Sequence, residues 1–257
     1  MRRQNVQSGR TAVNSAPEPD NSTMNPGPQP PFSVLYEDNH LLVINKPAGL
    51  PTMGVEASKP SLLSLAKSYI GAKYEKPGKV YLGIVSRLDA PVTGIVVIAR
   101  TSKAAKRLSE QFREGTVDKT YLALVQPGPR LGNEPVECTD WLVKHERHRK
   151  VLTVDELTRG AQQARLRFTT VAKAGRLALL RVTLLTGRKH QIRVQLSSRN
   201  YPILGDRKYG SALSFPAGIA LHASKLTIEH PVRKEPLQFE CKLPRYWQAF
   251  LPDKGRA

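Results

Sequence analysis

From Ser33 onward, apolar and polar residues alternate along the chain. Val34 and Tyr36 precede a polar turn at Glu37–His40, and Leu41–Asn45 follows. That pattern predicts a β-hairpin. Lys46-Pro47-Ala48-Gly49 then ends the second strand and bends the chain. Leu62, Leu63, Leu65, Ala66 and Ile70 have the spacing of a helix over Ser61–Ile70. Ile95–Ala99 is a short apolar run between Gly94 and Arg100, which predicts a buried strand. Ala104, Leu108 and Phe112 recur every four residues, so a second helix starts at Thr101 or Ser102 and stops at Gly115.

Thr120–Val125 reads as a further strand. Leu166 and Phe168 alternate with Arg165 and Arg167. After a turn at Ala174-Gly175, Leu180, Val182 and Leu184 alternate with Arg181 and Thr183. The two segments predict an antiparallel pair with one wet, basic face. His190–Ser197 reads as a helix following Thr186-Gly187. Ile219–Ile228 and Leu237–Cys241 read as late strands, and Tyr246–Leu251 as a terminal helix. No repeat of 20–50 residues is present. Strands interrupted by a few helices, without regular βαβ alternation, predict an α+β fold. The expected architecture is a single domain over residues 32–257, with a largely antiparallel mixed sheet flanked by helices and loops.

Residues 1–31 break the pattern. They hold Pro17, Pro19, Pro26, Pro28, Pro30 and Pro31 among Ser, Asn and Gln, and offer almost nothing to a core. A disordered, Pro-rich tail is expected there. The whole chain of 257 residues has 40 Lys and Arg against 21 Asp and Glu, a net charge of +19. The tail carries Arg2, Arg3 and Arg10 against Glu18 and Asp20. Nearly all of the surplus therefore belongs to the folded body. A surplus that large exceeds the roughly 2–8 charges that serve solubility in a small domain. It points to a polyanionic partner, nucleic acid first.

Cys138 and Cys241 are the only cysteines and form no CxxC pattern, so they read as buried apolar residues of a reducing compartment. No apolar run approaches the ~18 residues of a membrane span, and the N-terminus lacks the apolar core of a signal peptide. The expectation is a cytoplasmic protein with no membrane partner. No helix shows a spare apolar stripe, which favours a monomer.

Four segments carry chemistry. In Val85-Ser86-Arg87-Leu88-Asp89-Ala90-Pro91-Val92-Thr93-Gly94, a carboxylate sits in a turn just before a buried strand. Such a loop can present Asp89 at a strand edge, although Asp before Ala-Pro also suits a simple turn. In Thr186-Gly187-Arg188-Lys189-His190-Gln191-Ile192-Arg193, three cations and an imidazole occupy six positions. They suit a solvated basic helix, with Lys189 and Arg193 on one face, or contacts to phosphate or a buried carboxylate. Tyr121, at the start of a strand, is a sheet aromatic or a stacking surface. Lys144-His145-Glu146-Arg147-His148-Arg149-Lys150 has no apolar periodicity and reads as a basic loop reaching for phosphates.

Taken together, these segments resemble the RluA-type pseudouridine synthases from about Val34 to Trp247. The resemblance also includes Asn45-Lys46-Pro47-Ala48-Gly49-Leu50-Pro51-Thr52, Lys119-x-Tyr121-x-Ala123, Pro202-Ile203-Leu204-Gly205-Asp206 and Leu221-His222-Ala223. It implies that Asp89 is the essential catalytic aspartate and that Arg193 pairs with it. Tyr121 would pack on the target base and handle its proton, and Ile192 would line the base pocket. Arg87 would help extrude the nucleotide. Arg188, His190, Lys144, Arg147, Arg149 and Lys150 are the further RNA-binding candidates. Two positions depart from the family pattern: Ser86 stands where a histidine is usual, and Val92-Thr93-Gly94 where Thr-Ser-Gly is usual. Residues 1–31 are too short for the S4 RNA-binding domain that many relatives carry.

The implied reaction breaks the N1–C1′ bond of a uridine in rRNA or tRNA, turns the uracil and rejoins it through C5. It needs no redox cofactor, ATP or metal. A carboxylate can trap the intermediate fragment, by attack at C1′ or by removing a sugar proton. In a pocket such a carboxylate needs a cation beside it to stay charged, and Arg193 supplies one that never gives up its proton. Flipping the base out costs a few kcal/mol. Stacking on Tyr121, about 1–3 kcal/mol per base, offsets much of it. Two other classes fit the charge: a non-catalytic RNA-binding or RNA-folding factor on the same fold, and an N-glycosylase releasing free uracil.

Overall fold

The computed structural model describes residues 30–54, 56, 58–128, 131–148 and 150–251. Apart from Pro30 and Pro31, the expected tail lies outside the described residues. The described strands join one 11-stranded mixed sheet. In chain order they are β1 (Ser33–Glu37), β2 (Leu41–Lys46), β3 (Gly83–Ile84), β4 (Thr93–Ala99), β5 (Asp118–Val125) and β6 (Val136–His145). There follow β7 (Lys150–Val154), β8 (Gln162–Ala174), β9 (Leu177–Leu184), β10 (Leu221–Glu229) and β11 (Pro236–Glu240). The main path runs β1-β2-β4-β10-β5-β9-β8-β6-β7, with β3 on β4 and β11 on β10. The pairing of β4 with β10 is parallel, and the other pairings are antiparallel. The α+β expectation is met.

The parallel joint lies inside the sheet, between the third and fourth strands of the main path, and pairs Thr93 with His222 and Gly94 with Ala223. Gly94 has φ +110°, and a Cβ there would overlap the Ala223 backbone. Only glycine lets β4 and β10 approach so closely.

Strand alternation explains how the core splits in two. Leu42, Ile44, Val96 and Ile98 face one side, where α1 (Leu62–Lys73) packs Leu62, Ala66 and Ile70 on the sheet. Leu41, Val43, Ile95 and Val97 face the other, under Ala104 and Leu108 of α2 (Ser102–Glu114). Both faces of β2 and β4 are thus covered, which is why these strands read as continuous apolar runs. Ser61 caps α1 through a capping box with Ser64. Thr101 caps α2, and Gly115 ends it in the left-handed conformation.

Three elements differ from the sequence expectation. Lys144–Lys150 is the end of a β-hairpin rather than a free loop, because Lys144 pairs with Val151 and His145 with Lys150. The third helix, α3 (Gln191–Ser197), starts one residue later than expected: His190 has φ 52° and precedes it. Lys189 therefore lies outside the helix and exposed, while Arg193 is buried. The terminal segment Arg245–Phe250 is a 3₁₀ helix that buries Trp247. Cys138 and Cys241 are free thiols in the core, as expected. Among the described residues no helix is long and apolar enough to cross a membrane.

Candidate active site

Asp89 sits in the loop between β3 and β4, and neighbouring segments hold that loop on both sides. The Thr52 hydroxyl donates to the Leu88 carbonyl at 2.8 Å and accepts the Leu88 N–H at 3.2 Å. The Ala90 carbonyl accepts the Gly49 N–H at 2.8 Å and Lys46 Nζ at 3.1 Å. The Pro91 carbonyl accepts the Ile219 N–H at 3.1 Å. Asp89 itself closes the turn by accepting the Val92 N–H at 3.0 Å. The Lys46-Pro47-Ala48-Gly49 bend is therefore a clamp on the loop that carries the carboxylate.

Lys46 is fully buried and also donates to the carbonyls of Pro47 and Leu50, both at 2.8 Å. Burial brings its ammonium down to about 8, while the Asp89 charge pulls it back up. Ser86, two residues beyond β3, bonds to the sheet through its side chain. Its hydroxyl accepts the Val97 N–H at 3.0 Å, so the short β3 edge stays tied to β4.

Arg193 projects from α3 between two carboxylates. It gives Nη1 to Asp89 Oδ2 at 2.8 Å. It gives Nε and Nη2 to the two oxygens of Asp206 at 2.7 and 2.9 Å. Its guanidinium also stands 5.0 Å from the centre of the Tyr209 ring. Burial opposes its charge, but Asp206 first and Asp89 next raise its pKa above the ordinary arginine value. Asp89 is 26% exposed to the cleft, and among the described residues its Oδ1 has no hydrogen-bond partner. A fixed carboxylate with one oxygen committed and one open can act as a nucleophile or a base.

These groups line a cleft of about 1250 Å³. Tyr121 enters from β5, and burial first and Asp89 second raise its pKa, so the phenol keeps its proton. Ile192 lies in the floor as part of the core. Arg87 and Arg188 are exposed at the rim, Arg188 tied to the Gln163 carbonyl at 3.0 Å. Lys144 also reaches the cleft, where it pairs with Glu146. Arg147 and Lys150 lie on the β6–β7 hairpin beyond the cleft lining. Arg149 lies outside the described residues. His190 is turned inward: its side chain is 8% exposed and bonded to Tyr209.

Gln191 explains the sharp entry to α3. Its side-chain oxygen accepts the Arg188 N–H at 2.9 Å and the Thr186 hydroxyl at 2.8 Å, and its amide donates to the Arg165 carbonyl at 2.9 Å. Several residues of the site had no task assigned from the sequence. Asp206 stood within a quoted motif, yet only folding places it against Arg193. Tyr209 and Lys208, from the following 3₁₀ turn, gave no sequence signal at all. Lys119 and Phe112 line the cleft beside Tyr121. Burial lowers the Lys119 pKa.

Comparison with known proteins identifies the family. A family model described as RNA pseudouridylate synthase matches residues 40–198. The dual-specificity RNA pseudouridine synthase RluA of Salmonella typhimurium is 35% identical over 226 residues, covering 84% of this chain and 95% of that protein. The ribosomal large subunit pseudouridine synthase D of Xanthomonas campestris is 33% identical over 250 residues, 88% of this chain and 72% of that one. Among solved structures, human RNA pseudouridylate synthase domain containing 4 superposes with a TM-score of 0.69 at 27% identity. The match covers 84% of this chain and 90% of that chain. The chain belongs to the RNA pseudouridylate synthase family, isomerases acting on RNA, and is itself a pseudouridine synthase.

Proposed function

We propose that this protein converts uridine to pseudouridine in an rRNA or tRNA, with Asp89 as the catalytic carboxylate. The observation that carries this reading is the 2.8 Å ion pair of Arg193 with Asp89 Oδ2, which leaves Oδ1 open to the cleft. The uridine leaves the RNA stack and enters the cleft, where the Tyr121 ring offers a stacking face and Ile192 an apolar floor. Asp89 opens the N1–C1′ bond, either by attack at C1′ or by taking a sugar proton. The uracil turns and C5 bonds to C1′ as the Asp89–C1′ bond breaks or as the abstracted proton returns to the sugar; the C5 proton is then lost and N1 gains one. Tyr121, protonated at rest, gives its proton to N1 and takes up the C5 proton in its place. Atoms are conserved and no electron acceptor is consumed, so the reaction needs no cofactor.

Arg87 at the rim helps extrude the nucleotide. Arg188, Lys144, Arg147, Arg149 and Lys150 bind phosphates, which supply affinity without sequence information. The catalytic domain spans residues 32–257 and works as a cytoplasmic monomer.

The test is a map of carbodiimide-resistant reverse-transcription stops. Cellular RNA incubated with the purified protein gains stops at defined uridines. Asp89→Asn abolishes them while RNA binding survives. Stops persisting with that variant refute the assignment of Asp89, and binding without any new stops favours a non-catalytic RNA factor.

A further inference from the structure

The Tyr209 hydroxyl accepts the backbone N–H of Val151 at 2.9 Å. It also lies 2.7 Å from His190 Nδ1. A phenol has one proton to give. With Val151 occupying an acceptor site, the Tyr209 proton finds its acceptor in His190 Nδ1. Were Nδ1 protonated instead, both groups would donate and the phenol proton would have no acceptor there. The pairing that satisfies every group puts the imidazole proton on Nε2.

Nε2 faces Asp89 Oδ2 at 3.6 Å, the same oxygen that Arg193 holds at 2.8 Å. The first distance is just beyond hydrogen-bond reach, and a shift of about half an ångström would close it. The ring is kept neutral by burial, helped by Arg193, Lys208 and Lys189, against the pull of Asp89. Together they bring it down to about 4. The backbone was bent to aim this ring. His190 is one of four non-glycine residues with positive φ among those described, at φ 52°. That conformation costs of order 1 kcal/mol and persists only where surrounding contacts enforce it. Here the Val194 N–H bonds to the His190 carbonyl at 3.0 Å, and Gln191 ties down the residues before it.

We propose that His190 is a positioning residue for Asp89 rather than an RNA contact. Resting on the reading of Asp89 above, Arg193 holds Oδ2, and the His190 Nε2–H, 3.6 Å from the same oxygen, closes onto it from a second direction when the site is loaded, leaving Oδ1 for the uridine. Tyr209 and the Val151 backbone of the β7 strand set the tautomer. The basic β6–β7 hairpin is thereby linked to the reactive carboxylate through two hydrogen bonds and the 3.6 Å approach of Nε2 to Oδ2.

Two substitutions at one position separate this role from a structural one. Gln places an amide N–H near the position of Nε2. Asn tolerates positive φ better and is too short to reach Asp89. The measurement is single-turnover modification, with excess full-length protein, of an RNA fragment carrying the mapped uridine, beside the fragment's Kd. His190→Asn slows the reaction about tenfold with Kd within twofold, the order of one lost hydrogen bond to a charged group. His190→Gln recovers most of the rate. Tyr209→Phe, which frees the tautomer, falls between them and covers the case of an unfolded Asn variant. Equal rates for the Asn and Gln variants overturn the proposal, as does a loss confined to Kd or a Tyr209→Phe rate equal to that of the unaltered protein. An Asp89→Asn protein that still modifies RNA refutes the catalytic reading instead, so the two failures are distinct.

Discussion

Arg193 gives two parallel hydrogen bonds to Asp206 and a single one to Asp89. Asp206 is 1% exposed and Asp89 26%. The arginine is therefore anchored by the carboxylate that substrate cannot reach, and only its remaining Nη1 is spent on the one that faces the cleft.

Replacing Asp206 with Ala follows directly from this division. The variant strands a buried guanidinium with half its partners gone, and removing one member of a buried pair costs about 3–5 kcal/mol. Urea unfolding should show a loss of that order, and modification of RNA should fall with it. An unfolding free energy within about 0.5 kcal/mol of the original would show that Asp206 does not anchor Arg193.

Lys46 holds the same site through hydrogen bonds to backbone carbonyls, and the Asp89 charge also acts on its ammonium. Lys46→Met fills the volume but removes the donor shared by the Pro47, Leu50 and Ala90 carbonyls. Relief from burying an ammonium offsets part of the lost bonding, so stability should change little. The loop holding Asp89 loses a clamp, and a displacement near 1 Å at a reacting group costs about 10²-fold. A rate reduction of at least about tenfold is expected in single-turnover assays. An unchanged rate would mean that Thr52 and Gly49 hold the loop without it.

Stability should fall between neutral and mildly acidic pH. His222 is fully buried between Thr93 and the Cys241 carbonyl, and burial lowers it to about 4 from 6.5. The folded state releases this proton first as pH rises, so between about 6.5 and 4 the unfolded state binds more protons. Stability is complete above 6.5 and lost as pH drops through that window, by about 1.4 kcal/mol per pH unit for each such group. His190, lowered likewise, adds a second share. Glu37 and Asp38 are lowered from 4.5 and 3.8, so their contributions disappear at more acidic pH. Urea titrations at pH 7 and pH 5 should differ by about 2–4 kcal/mol, and His222→Gln should remove roughly half of the difference. A flat profile would contradict it.

The β6–β7 hairpin should account for part of the salt dependence of RNA binding. Arg147 is exposed near its tip, and Lys150 begins the returning strand. Alanine at both positions should lower the slope of log K against log salt by about 0.7–0.9 per lost phosphate contact. The positions of the modified uridines should stay the same, because phosphate contacts carry no sequence information. An unaltered slope would place the RNA elsewhere.

Much of this molecule is legible in its residues. The β1–β2 hairpin, both long helices, the caps of the second, the buried β4 strand and the alternating β8–β9 pair follow from local rules of side-chain period and backbone preference. So do the burial of both cysteines and the location of the surplus charge in the folded body. The resemblance of short motifs in a fixed order added Asp89, Tyr121 and Arg193. The β6–β7 hairpin was less readable, because Lys144 and Lys150 obscure a strand pattern that cross-strand pairing creates.

What tertiary structure alone decided is which groups meet. Lys46 at the end of β2 and Ala90 in the β3–β4 loop, or Arg193 of α3 and Asp206, lie in segments whose sequences say nothing of contact, and a hydrogen bond between them exists only once the sheet has set their distance. The same holds for direction. The sequence marks His190 as one more basic-segment residue, whereas the positive φ before α3 turns its ring inward to Tyr209 and Asp89. Period and propensity act over a few neighbouring residues and so are written along the chain. Hydrogen-bond partners and buried charge pairs depend on positions set by the whole core, and no local pattern contains them.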